Sequence, residues 1–139
     1  MKKIQILLVE DNDGDILLIK EALEEGRIPY ELQVIKNGHD AILFLDKDIG
    51  QKPDIIILDI NLPKKNGHEV LKHIKQSEEI KQIPVIMLTT SSTPKDIQKS
   101  YREHANCYIT KPVGGIEFLK VISQIEDFWL SLVKLPTHN

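Results

Sequence analysis

Two periods alternate along this chain. Short runs in which almost every residue is apolar, Ile4-Gln-Ile-Leu-Leu-Val9, Ile55-Ile-Ile-Leu58 and Pro84-Val-Ile-Met-Leu88, are separated by longer segments whose apolar residues recur every three or four positions. The runs are too short for typical helices and rich in β-branched residues, so they read as strands buried on both faces. Tyr30–Ile35 alternates apolar and polar residues, as a half-exposed edge strand does, and Cys107–Thr110 forms a fifth strand broken by Lys111-Pro112. The segments between them read as helices. Ile16, Ile19 and Leu23 share one face over 16–25, with Gly26 placed to stop the helix, and Asn37-Gly38 opens a second helix containing Ala41, Ile42, Phe44 and Leu45. The loop over 48–53 leads into the third strand. After a loop over 61–67, Val70, Leu71 and Ile74 mark a third helix. Thr93, Pro94 and Asp96 supply the N-cap, first-turn proline and acidic first turn of a fourth, running to about Ala105. Gly114-Gly115 reads as a hinge before a last helix that runs from about Ile116 towards Val133.

Five strands alternating with five helices predict an α/β, doubly wound, five-stranded parallel sheet of order 2-1-3-4-5, with helices on both faces and right-handed crossovers. In that flavodoxin-like order the first and third strands are neighbours at the switch point. Their C-terminal ends carry Glu10, Asp11 and Asp59 to one crevice, and Thr89 and Lys111 end the next two strands on the same rim.

Composition narrows the setting. The 139 residues suit one domain, with a core over about 4–126, a helical tail over 127–139 and no room for an output domain. With 41% hydrophobic and 28% charged residues the chain is an ordinary globular protein, and a net charge of −3 argues against nonspecific nucleic-acid binding. Cys107 is the only cysteine, which excludes an intrachain disulfide and a cysteine-rich metal site and reads as a buried thiol in a reducing compartment. The first apolar run stops at Val9 and meets Glu10 and Asp11, so it is neither a signal peptide nor a spanning helix. A cytoplasmic protein without membrane insertion is the expectation.

Three carboxylates gathered at one rim repel each other unless a cation sits among them. With only oxygen ligands on offer, the expected ion is hard and divalent, Mg²⁺ in the first place. Asp59, delivered by the central buried strand, is then a nucleophile towards a phosphoryl group whose charge Mg²⁺ and the Lys111 ammonium offset, while the Thr89 hydroxyl donates a hydrogen bond. The product is an aspartyl phosphate. Asp13 and Asp15 read as caps of the first helix and stay outside the site. His68 and His73, five residues apart, do not share a helix face and read as surface residues.

Glu10-Asp11, Asp59 in Leu-Asp-Ile-Asn-Leu-Pro, Gly67, Thr89 after Val-Ile-Met-Leu, Tyr108 and Lys111-Pro112 together resemble the receiver domain of two-component response regulators. The likeness spans Ile4 to about Glu126. It implies that Asp59 accepts phosphate from a sensor histidine kinase or a phosphorelay histidine domain. It also implies that Asp11, Asp59 and the Asn61 backbone carbonyl bind Mg²⁺ with Glu10 acting mainly through water, and that Thr89 and Tyr108 form a switch pair. A narrower likeness, in Asn-Leu-Pro-Lys-Lys-Asn-Gly67, Leu-Thr-Thr-Ser-Ser92, Asn-Cys-Tyr-Ile-Thr-Lys-Pro112 and Phe-Trp-Leu-Ser-Leu-Val-Lys-Leu-Pro136, is to small stand-alone regulators that partner phytochrome-type kinases. Two rivals are weaker. A phosphatase similar to the haloacid dehalogenase group would need a carboxylate two residues after Asp59, where Asn61 stands. A flavin-binding carrier would need a phosphate at a first loop that Glu10, Asp11, Asp13 and Asp15 make anionic.

The last helix carries more apolar surface than one packed stripe requires. At about 100° per residue, Phe118, Val121, Ile122, Ile125, Phe128, Trp129, Leu132 and Val133 fill a sector of roughly 140°. Phe128, Trp129, Leu132 and Val133 are therefore the expected interface of a symmetric homodimer.

Overall fold

The computed structural model describes residues 2–47 and 52–136. Residues 48–51 of the expected loop and 137–139 of the expected tail lie outside them. Strands β1 (Ile4–Val9), β2 (Tyr30–Ile35), β3 (Ile55–Leu58), β4 (Val85–Thr89) and β5 (Cys107–Thr110) alternate with helices α1 (Asp13–Glu25), α2 (Gly38–Asp46), α3 (Gly67–Gln76), α4 (Pro94–Arg102) and α5 (Gly115–Ile125). The sheet is parallel throughout, in the order β2-β1-β3-β4-β5.

Side chains of a strand point alternately to opposite faces, and both faces of this sheet are covered. Leu7, Val9, Ile56, Leu58, Val85 and Met87 meet α2 and α3 through Ala41, Leu45, Val70, Leu71 and Ile74. Ile6, Leu8, Ile55, Ile57, Ile86 and Leu88 meet α1 and α5 through Ile16, Ile19, Leu23, Phe118, Ile122 and Ile125. That is why β1, β3 and β4 lack polar alternation: each position faces a helix, and each buried aliphatic side chain contributes about 1.5–3 kcal/mol. β2, at the edge, keeps the alternation.

Register sets the rim. Val9 pairs with Leu58, so Glu10 and Asp59 leave the sheet side by side, and the Asp59 N–H bonds the Val9 carbonyl at 3.1 Å. Thr89 pairs with Thr110, which brings Lys111 to the same level.

The helix ends differ from the periodicity, because caps and backbone packing rather than apolar residues set them. Asn12, not an aspartate, caps α1 by accepting the Asp15 N–H at 2.9 Å, so the helix starts before its first apolar residue. Asn66 and Glu69 form a capping box that takes Gly67 into α3. α4 begins as expected at Thr93 and Pro94 but stops at Arg102, where His104 at φ 71° turns the chain to bury Ala105. Gly114 is the N-cap of α5 rather than part of a hinge.

The largest departure is at the C-terminal end. α5 stops at Ile125, and Glu126–Leu132 is π-helical, with the Val133 N–H reaching back five residues to the Phe128 carbonyl at 2.9 Å. The wider turn breaks the angular relation that a continuous helix to Val133 would have. Trp129, Leu130 and Leu135 consequently pack against the chain's own α1–α5 core, whereas Phe128 and Leu132 are 51% and 69% exposed.

Candidate functional site

β3 ends at Leu58, so Asp59 is the first residue free of strand pairing, yet it remains only 6% exposed. The α3 start forms its floor: the Gly67 N–H bonds the Ile60 carbonyl at 2.8 Å. A Cβ on Gly67 would stand 2.1 Å from the Asp59 carbonyl oxygen, so only glycine fits there. The Asn61 N–H approaches Asp59 Oδ1 at 3.4 Å.

Lys111 enters from the end of β5 and is buried. Its Nζ donates to Glu10 Oε1 at 2.5 Å, Asp15 Oδ2 at 2.9 Å and Asp59 Oδ2 at 3.1 Å. Its backbone N–H bonds the Thr89 carbonyl at 2.7 Å, which ties the last two strand ends together. Asp15 is thus part of the site, contrary to the expectation of a plain cap. Its signal was a carboxylate one helical turn beyond Asp11, pointing back to the same rim.

The charges are unequal in consequence. Burial opposes ionisation of Asp59, but the Thr89 hydroxyl bond and the Lys111 charge outweigh it and hold the group below the ordinary carboxylate range. Burial dominates at Glu10 and pushes it up to about 7, with the Lys111 bond offsetting only part of that and the Asp59 charge adding to it. Burial works against the Lys111 ammonium, yet its bonds to Glu10 and Asp15 raise its pKa overall. Of the two buried carboxyls, Asp59 is therefore the one favoured in its charged form.

Oxygens of Glu10, Asp11 and Asp59 lie within 4.8 Å of one another, with Asp11 on the exposed side. This all-oxygen donor set fits a hard divalent cation.

Thr89 is completely buried and its Oγ1 accepts the Ser91 N–H at 3.4 Å. Tyr108, half-buried against the α2–α3 core, donates its hydroxyl to the Ser91 carbonyl at 2.8 Å. The two predicted switch residues therefore meet through Ser91. His68, expected at the surface, is only 6% exposed; its Nε2 bonds Asp96 Oδ1 at 3.0 Å. His73 is partly exposed and pairs with Asp46 at 2.7 Å. Cys107 is half-buried, and its thiol is raised by burial against a hydrogen bond from Trp129. Among the described residues no helix is long and apolar enough to cross a membrane.

Known proteins share this arrangement. The profile described as the response regulator receiver domain matches residues 6–123. Response regulator Rcp1 of Synechocystis is 44% identical, over 94% of this chain and 92% of its own. The phosphorylated cyanobacterial phytochrome response regulator RcpA superposes with a TM-score of 0.94 at 43% identity, over 98% of this chain and all (100%) of that one. The Mn²⁺-bound form of Rcp1 does so with a TM-score of 0.93 at 43% identity, over 96% and 99%. These likenesses give no support to a phosphatase of the haloacid dehalogenase kind. With the profile matched from β1 into α5 on the sheet order that gathers the acids, Thr89 and Lys111, this chain belongs to the response regulator receiver domain family.

Proposed function

We propose that the protein is a cytoplasmic, single-domain phosphoacceptor whose acceptor is Asp59. The observation that carries this reading is the buried Asp59 carboxylate at the end of the central strand, 3.1 Å from the Lys111 ammonium and held below the ordinary carboxylate range by Thr89 and Lys111. An Asp59 oxygen attacks the phosphorus of a phosphohistidine whose other ring nitrogen carries a proton; an O–P bond forms, the N–P bond breaks, and its electron pair leaves with the now neutral imidazole. Lys111 and Thr89 hold phosphoryl oxygens and offset their charge. Asp11, Asp59 and the Asn61 carbonyl, with Glu10 acting through water, would hold Mg²⁺, which would supply further charge neutralisation at the phosphoryl group. No separate substrate is turned over, so the protein acts as a signalling switch rather than an enzyme.

Phosphorylation draws Thr89 towards the new phosphoryl group and so biases Ser91 and Tyr108, changing the surface that partners read. The donor is a sensor histidine kinase or a relay histidine domain, and the phytochrome in the printed name of RcpA supports a kinase of phytochrome type. A second copy of the chain binds through Phe128, Leu132 and the adjoining Trp129 and Val133. Phosphotransfer from autophosphorylated histidine kinases to wild type and Asp59→Asn, with and without Mg²⁺, tests the acceptor. Labelling of wild type alone, dependent on Mg²⁺, is expected; equal labelling of both proteins refutes it.

A further inference from the structure

His68 is an odd residue to bury. Its ring lies under the contact of α3 with α4, Nε2 bonds Asp96, and Nδ1 is buried without a hydrogen-bond partner among the described residues. A side chain serving only to fill space there would be apolar, since an unsatisfied buried nitrogen is destabilising. What the ring does hold is Asp96, in the first turn of α4, whose Oδ2 accepts the Ser91 hydroxyl at 2.5 Å. Ser91 in turn offers its carbonyl to Tyr108 and its N–H to Thr89 Oγ1. The other end of this relay is tied to the acceptor site, because His68 follows Gly67, which is packed on the Asp59 carbonyl and bonded to Ile60. A line therefore runs from the floor of the acceptor site along the chain from Gly67 to His68, and by polar contacts through Asp96 and Ser91 to both switch residues.

We propose that His68 and Asp96 are positioning residues that hold Ser91 where Thr89 and Tyr108 can both engage it, and so set how readily the receiver adopts its switched arrangement. This rests on the reading of Asp59 as phosphoacceptor and of Thr89 and Tyr108 as its switch pair. With the clasp cut, Ser91 leaves its place, Tyr108 loses its acceptor, and the arrangement that receives the phosphoryl group is less populated. A plain α3–α4 staple would alter stability without touching Tyr108.

The test uses the full chain with 3-fluorotyrosine at its three tyrosines, the Tyr108 resonance being assigned with Tyr108→Phe. Labelling of Asp59 by acetyl phosphate with Mg²⁺ is followed alongside. His68→Phe keeps the buried ring but not the bond, and is expected to slow labelling about fivefold, the low end of ordinary coupling between sites, and to shift the Tyr108 resonance. Ser91→Ala cuts the same line at its other end and is expected to do likewise, the double variant adding nothing to either single one. His68→Gln, whose amide can donate to Asp96, restores rate and resonance. Wild-type rates with an unmoved Tyr108 resonance, additive effects in the double variant, or a Gln variant as slow as Phe would each overturn the proposal. If His68→Phe does not fold, Ser91→Ala alone decides by the same two readouts. Failure of the acceptor assignment shows separately, as labelling of Asp59→Asn.

Discussion

At the scale of single residues the site is governed by one ammonium among carboxylates. Lys111 contacts Glu10, Asp15 and Asp59, and both Glu10 and Asp59 are nearly inaccessible to water. Removing the cation leaves buried anions uncompensated, which costs more than the pair contributes. Lys111→Met is therefore expected to lose about 3 kcal/mol in metal-free urea denaturation, with part regained on adding Mg²⁺ that binds only the native state. Gly67 is held by space rather than charge. In Gly67→Ala the new methyl meets the Asp59 carbonyl oxygen, so a loss of about 2 kcal/mol is expected together with slower labelling of Asp59. Asp96 gives a dependence on pH. Its bonds to Ser91 and His68 outweigh burial and lower its pKa from 3.8, so its stabilisation is present above that value and is lost as pH falls through the lower folded one. Urea midpoints of Asp96→Asn should accordingly fall less than those of wild type between pH 5 and the acid limb, while a parallel fall would refute this assignment. Asp59, Thr89 and Lys111 were legible in the sequence because each ends a strand. Asp15 and His68 were not, since their partners Lys111 and Asp96 lie 96 and 28 residues away on other elements.

At the scale of elements the strands were readable nearly to the residue, because full burial on two faces writes itself as an unbroken apolar run. Helix ends were readable where a stop or cap residue announced them, as at Gly26, Asn37 and Thr93, but not where the cap lay outside the apolar pattern, as at Asn12 and Asn66. The π-helical segment was invisible for a related reason: an apolar stripe projected at 100° per residue presupposes the turn it is meant to reveal. Glu126 begins that segment and packs its carboxylate close to Gly26 at the end of α1, with Oε2 buried and unpartnered among the described residues. Burial, helped by the Asp127 charge, raises its pKa above 4.5. A carboxylate raised in the folded state favours folding when protonated, so its contribution is best below 4.5 and worsens as pH rises through the folded value. Glu126→Gln should therefore raise the urea midpoint at pH 8, with the gain shrinking towards pH 4. A gain that is constant across this range would mean that packing, not charge, is what the substitution changes.

At the scale of the whole molecule the open question is what covers the C-terminal face. The breadth of the apolar sector predicted an interface, and the fold divides that sector in two. Trp129 belongs to its own domain, packed on the α1–α5 core and meeting Phe128 edge to face with ring centroids 5.6 Å apart. Phe128 and Leu132 are left outside, and Phe128 borders a hollow of about 280 Å³ lined with it by Ile109, Val121, Gln124, Ile125 and Trp129. In the proposed dimer, a two-fold axis beside this hollow would let each copy present the Phe128–Leu132 edge to the other's β5–α5 groove, the reciprocal contact that a closed dimer requires. Two exposed side chains alone fall short of the roughly 1,200 Å² that stable interfaces bury, so the groove must take part. Phe128→Glu with Leu132→Glu is expected to give a monomer by sedimentation at tens of micromolar while leaving the melting temperature nearly unchanged, because neither side chain fills the core. Trp129→Ala should instead lower the melting temperature, because it empties space in the chain's own fold. A wild-type protein that sediments as a monomer under the same conditions, with and without a phosphoryl mimic, would remove the dimer and leave Phe128 and Leu132 as a surface for some other partner.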